Sequence, residues 1–197
     1  MRKQDGYILV FVLVVMFAVE VFALAITSSV IRAHTRQARS VAEMQERYTL
    51  TGELQKLEGT AQHTTYSWDD PTADLQDSIS SYLEGIGFGT GMAASKIEME
   101  RTEQTAPDAD ETVSTSEVLA SVSFDDMKTV LSNTTVKNVR LFLYTPTYSA
   151  VHNANEIEAD IKITMAVSLS GAAGSEIITL TPQEVSYGSY SITEVAS

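Results

Sequence analysis

Carboxylates are the commonest chemistry-bearing groups in this chain, and their spacing decides what they could do. Asp69, Asp70, Asp74 and Asp77 fall within nine residues. Oxygen donors in that number suit calcium, but the spacing matches no EF-hand loop. Asp74 and Asp77 instead open a short apolar period, where acidic side chains favour the positive end of a helix. Glu156, Glu158 and Asp160 alternate with apolar residues, so they share one strand face. Such a face could place paired acids, but an alternating charged row is ordinarily the solvated side of a sheet. His34, His63 and His152 are scattered, with no Cys and no second His at i+4 to build a zinc site or a triad. Gly85-Ile86-Gly87-Phe88-Gly89-Thr90-Gly91 follows helical rather than strand patterning and lacks the GK[ST] of a phosphate loop. Asn133-Thr134-Thr135 matches a glycosylation sequon, a match that chance supplies readily. Cysteine is absent, which excludes disulfides and cysteine zinc sites. The expectation is a protein with no catalytic residue, no metal and no cofactor.

The elements that carry these residues are unevenly charged. The chain has 197 residues and a net charge of −13. Residues 1–58 carry seven basic and six acidic side chains, whereas 59–197 carry six and twenty. The acidity therefore belongs to the C-terminal part, where it argues against binding nucleic acid, because phosphate contacts need clustered Lys and Arg. A hydrophobic content of 44% with four prolines argues against disorder.

Tyr7–Ile26 is twenty residues long with a single charge, Glu20. As a helix it spans about 30 Å, the thickness of a bilayer's hydrocarbon core. Fourteen of its residues are Val, Ile, Leu or Phe, worth about −4 to −8 kcal/mol on insertion. A carboxylate at mid-helix costs about 2.5–3.5 kcal/mol, and Glu20 lies past the midpoint of this segment, so insertion wins. The segment could be an ordinary signal anchor, a cleaved secretory signal with Ala23-Leu24-Ala25 at its end, or the spine of an assembling subunit. A secretory core is usually only about 7–15 residues and would not enclose a glutamate.

Met1-Arg2-Lys3-Gln4-Asp5-Gly6 is a short, basic, hydrophilic leader ending in Gly against the apolar run. It resembles the class III leader of type IV prepilins. That resemblance covers roughly the first 55 residues and implies cleavage by a prepilin peptidase between Gly6 and Tyr7, leaving the helix attached to the mature chain. It also implies partners: the peptidase, the membrane, and other pilin or pseudopilin subunits that pack through this helix. Most family members carry Glu as the fifth mature residue, and here that position is Phe11. The departure is similar to minor, PilX-like or K-type pseudopilin subunits. Glu20, about 13 Å further along the helix, cannot stand in for the missing group. The alternative is a single-pass anchor bearing an extracytoplasmic binding or sensor domain. Arg32, Arg36 and Arg39 follow the segment, so the positive-inside count does not favour a cytoplasmic N-terminus; even so, the C-terminal domain is expected outside the cytoplasm.

Past the membrane segment, residues 27–58 contain no Pro and carry an apolar or weakly polar stripe through Val30, Ala38, Val41, Met44, Tyr48, Leu50, Leu54 and Leu57, predicting an amphipathic continuation of the helix. Residues 59–71 read as a polar connection, and 73–86 as a short amphipathic helix broken by the glycines. Strands are expected around 97–102, over 118–124 with Val118, Ala120, Val122 and Phe124 inward, and over 139–144. Ala106–Glu111 reads as an acidic turn and 125–133 as a loop or short helical turn. Seven apolar residues at period two mark Glu156–Leu169 as a half-buried antiparallel strand. Gly171–Ser175 turns the chain, 176–181 returns as its hairpin partner, and 185–195 adds a final strand. The expected fold is α+β: four domains of sequence, 1–6, 7–26, 27–58 and 59–197, with a long N-terminal helix on an antiparallel sheet of four to six strands.

Overall fold

A computed structural model describes residues 4–105, 111–153 and 155–194, with backbone only for 4–9 and Ser189. Helix α1 runs unbroken over Gln4–His63, 60 residues. The chain divides into two compact units, 1–47 and 48–197. The first is the exposed part of α1. The second holds the last four turns of α1, helices α2 (Leu75–Ile86) and α3 (Phe124–Ser132), and strands β1 (Tyr66–Trp68), β2 (Lys96–Gln104), β3 (Thr112–Leu119), β4 (Val136–Tyr144), β5 (Tyr148–His152), β6 (Asn155–Ser170) and β7 (Ile177–Glu194).

The strands form one antiparallel sheet in the order β1-β7-β6-β4-β2-β3, with β5 also on β6. β4 and β5 lie along the same edge of β6, pairing with Lys162–Ala166 and Asn155–Ala159 respectively. They amount to one strand interrupted at Thr145-Pro146-Thr147, since Pro146 cannot donate to a ladder. Thr145 bridges the gap: its backbone N–H donates to Ile161 O at 3.0 Å, and its hydroxyl exchanges hydrogen bonds with the same residue. β6 carries the alternation read from the sequence, with Ile157, Ala159, Ile161, Ile163, Met165 and Val167 buried and Leu169 half-buried. Its partner β7 is one strand rather than two. Two register shifts, one of them beside Pro182, absorb what would otherwise break it. The turn between β6 and β7 needs Gly171: its φ is +101°, and a Cβ there would stand 2.3 Å from Ser175 O.

The core lies on one face of this sheet. Leu50, Leu54, Leu57 and Ala61 of α1 join Leu75, Ile79, Tyr82 and Leu83 of α2, Met127 of α3, and the inward residues of β2, β4, β6 and β7 in a single cluster. α2 starts where Asp74 Oδ1 accepts from Asp77 N at 2.8 Å and stops at Gly87, φ +104°. α3 starts at Ser123, whose hydroxyl accepts from Asp126 N and donates to the Asp126 carboxylate.

That cap corrects the expected strand over 118–124. The reciprocal Ser123–Asp126 pair starts a helix at Phe124, so the strand ends at Leu119. Its inward residue is Leu119, opposite Ile97, while Val118 faces outward beside Glu98 and is exposed. Two further corrections concern the stretch read as connection. α1 continues to His63, and Trp68 of β1 is buried with its ring edge-on to Phe124 at 5.3 Å. The sheet thus has seven strands, because the short β1 and β5 add to those expected. Residues 106–110 of the expected acidic turn and Val195 lie outside the described residues.

Candidate membrane and assembly helix

Over Val10–Ile26, α1 presents apolar side chains in every direction. Phe11, Leu13, Phe17, Phe22 and Leu24 are each more than 60% exposed, and Val12, Val14 and Val15 between them are exposed as well. Helices of soluble domains bury an apolar stripe and leave the rest polar. This one is long and apolar enough to cross a membrane, and none of its most apolar window is covered by the protein itself. Lipid or the helices of other chains are the surroundings that suit it.

Gly6 and Tyr7 lie on the backbone of α1, and the Tyr7 side chain is outside the described residues. Phe11 and Glu20 are both exposed along the same helix. Nine residues correspond to two and a half turns, so Glu20 projects on the opposite side from Phe11 as well as about 13 Å away. It replaces a carboxylate at position 11 in neither height nor direction.

Side-chain hydrogen bonds move the end of the apolar stretch. Thr27 donates its hydroxyl to Ala23 O at 2.8 Å and Ser28 to Ala25 O at 2.9 Å. These hydroxyls are satisfied by the helix itself, which is how hydroxylated residues become compatible with hydrocarbon. Ser29 makes no such bond. Beyond it stand Val30 and Ile31, both exposed, and only then Arg32. Apart from Glu20 the helix therefore carries no charged side chain over Tyr7–Ile31, about 37 Å, which fits a core of about 30 Å with tilt. Glu20 sits one residue past the centre of that stretch, closer to its middle than in Tyr7–Ile26. Its cost falls at the upper end of the insertion scale, about 2.5–3.5 kcal/mol. The signal was legible as Val30-Ile31 standing directly before Arg32.

The second unit holds the remaining chemistry-bearing residues, and it does not gather them. Asp70 accepts from the Thr72 hydroxyl and backbone, which together hold its carboxyl below the usual value. Asp74 caps α2 and takes the Ser121 hydroxyl at 2.9 Å; the Asp77 amide, then Ser121, lower its carboxyl. Among the described residues no group of three His, Asp or Glu could hold a metal. His63 lies at the end of α1 against Gly59 O, and His152 ends β5. Glu156 accepts from the Ser149 hydroxyl of β5, and Asp160 at 2.8 Å from the Thr147 hydroxyl in the interruption before β5. Gly87, Gly89 and Gly91 all have positive φ, as a turn demands. Asn133 is the C-cap of α3, and its side chain accepts from the Thr135 amide and hydroxyl.

One concavity opens where β4 breaks into β5, a cavity of about 590 Å³ bounded by Tyr144, Pro146, Asp160, Lys162 and Tyr187. Its groups engage one another. Lys162 Nζ sits 4.6 Å from the centre of the Phe142 ring and 5.4 Å from that of Tyr144. Tyr144 donates to Glu98 at 2.9 Å, and Glu98 pairs with Lys96. Lys96, then Tyr144, hold the Glu98 carboxyl below its usual value.

Compared with protein-family models, with curated proteins and with solved structures, the chain matches none. The architecture, a long apolar N-terminal helix on an antiparallel sheet, is consistent with that of pilin-like proteins.

Proposed function

We propose that this chain is a structural subunit of a type IV pilus or a related secretion or competence filament, in the manner of a minor pilin or pseudopilin. One observation carries the reading: a single helix is apolar on all sides over Val10–Ile26, apart from Glu20, and ends as the core helix of a sheet domain. A prepilin peptidase removes residues 1–6, Tyr7 becomes the N-terminus, and the helix passes from lipid into a bundle of similar helices. Lipid is as apolar as those helices, so association rests on shape and on polar pairs. Glu20, central in the span, gains most from a partner cation or backbone group on a neighbouring subunit. The domain of 48–197 faces away from the cytoplasm, and its role is structural rather than catalytic. Its acidity keeps it from nucleic acid.

The mass of the mature chain tests this. An N-terminus at Tyr7, with or without N-methylation, supports the filament subunit. Retention of Met1 supports instead a single-pass anchor whose domain binds or senses a ligand, a reading favoured by the cavity beside Tyr144. A chain starting at Ile26 supports secretion. For Glu20→Gln, filament yield is expected to fall; unchanged assembly would remove Glu20 from the mechanism.

A further inference from the structure

From Val21 to Ala42 the chain has no carboxylate, while Arg32, Arg36 and Arg39 fall in this interval. At 100° per residue these three lie within about 60° of one another, forming a stripe on one side of α1. All three are exposed, and no ion pair or hydrogen bond engages their side chains among the described residues. Three guanidinium groups in a row repel each other, and an anion on that face would relieve the repulsion.

We infer that this stripe binds the phosphate headgroups of anionic phospholipids, and the inference rests on the reading that Tyr7–Ile31 crosses a bilayer. Height along the helix supports it. Arg32, Arg36 and Arg39 stand about 1.5, 7.5 and 12 Å beyond Ile31, against a headgroup layer of about 5–8 Å on each side of the hydrocarbon. Direction supports it as well. The Cα–Cβ bonds of a helix tilt toward its N-terminus, which here is the membrane side, so all three side chains lean back toward the headgroups. Guanidinium forks match phosphate oxygens in pairs. The acidic domain is repelled by an anionic surface; the stripe supplies the opposite force on the segment between domain and membrane. Glu43, on the same side of the helix one turn past Arg39, closes the stripe on the side away from the bilayer.

The test uses the full chain reconstituted in phosphatidylcholine vesicles containing phosphatidylglycerol, with spin-labelled versions of each lipid. The immobilised fraction at the protein gives their relative association. Wild type is expected to prefer phosphatidylglycerol, and the preference to fall about fivefold for each Arg→Gln change at 32, 36 or 39. It should weaken as salt is raised and persist when all three are changed to Lys. Lys137→Gln, the same charge change far along the chain, should leave it unaltered. Immobilised lipid without preference for phosphatidylglycerol overturns the inference while leaving the membrane span intact. No immobilised lipid of either kind overturns the span and the inference together. Loss of self-association in the triple Gln variant, with lipid preference unchanged, reassigns the stripe to a neighbouring copy's acidic domain.

Discussion

Asp74 and Tyr82 show how single polar groups hold the second unit together. The Asp74 carboxylate takes the Asp77 amide at the start of α2 and the Ser121 hydroxyl ahead of α3, so one side chain ties two helix starts. Asp74→Ala should cost about 1 kcal/mol in denaturant titrations of the full chain in detergent. The Asp74 carboxyl is lowered in the folded state, so its stabilisation is complete above the ordinary Asp value near pH 4. It is lost as pH falls toward the lower folded value, and Asp74→Asn should flatten that acid limb. Tyr82 is buried and donates to Ala61 O at 2.8 Å, one of the four carbonyls that the end of α1 leaves without a helical partner. Burial raises its phenol well above the usual value, so it remains a donor throughout the accessible range. Tyr82→Phe removes that donor, and a loss of about 1–3 kcal/mol is expected by the same measurement.

At the scale of elements, α1 changes surroundings without changing conformation. Leu50 and Leu54 are fully buried, whereas Tyr48, just before them, is 77% exposed. Leu54→Ala should destabilise the second unit by about 2–5 kcal/mol, because a cavity opens between α1 and the sheet. Helical content over the first unit should persist in detergent, and circular dichroism with denaturant separates the two effects. The β6–β7 hairpin depends on Gly171 in the same direct way. Gly171→Ala sets a Cβ against Ser175 O and demands a positive φ of a residue that resists it. The expected loss exceeds about 1 kcal/mol, with hydrogen exchange faster at the paired ends of β6 and β7 than in the middle of the sheet.

For the whole molecule, charge and apolar surface sit on different parts of one chain. The domain's acidity gives an isoelectric point near 4.5, and self-association in detergent should peak there and recede above it, a trend light scattering can follow. The long helix, its lipid-compatible composition, the half-buried strand of 155–170 and the glycine turn after it were all legible in the residues, because local periodicity and breakers decide them. The α+β class followed from the same patterns. Strand order was not legible: β7 beside β1, and β4 with β5 sharing one edge of β6, join segments whose pairing leaves no local mark. Val118 reads as inward by alternation, but the pairing of its neighbour Leu119 with Ile97 turns it outward, and the Ser123 cap converts Phe124 from strand to helix. Trp68 hides in a polar stretch because three residues are too few to show a period. The reach of the apolar segment lay between these cases. Its residues are plain in the chain, yet Thr27 and Ser28 join the apolar length only through hydroxyls folded back on carbonyls four and three residues earlier, and that bond is a property of the helix in three dimensions.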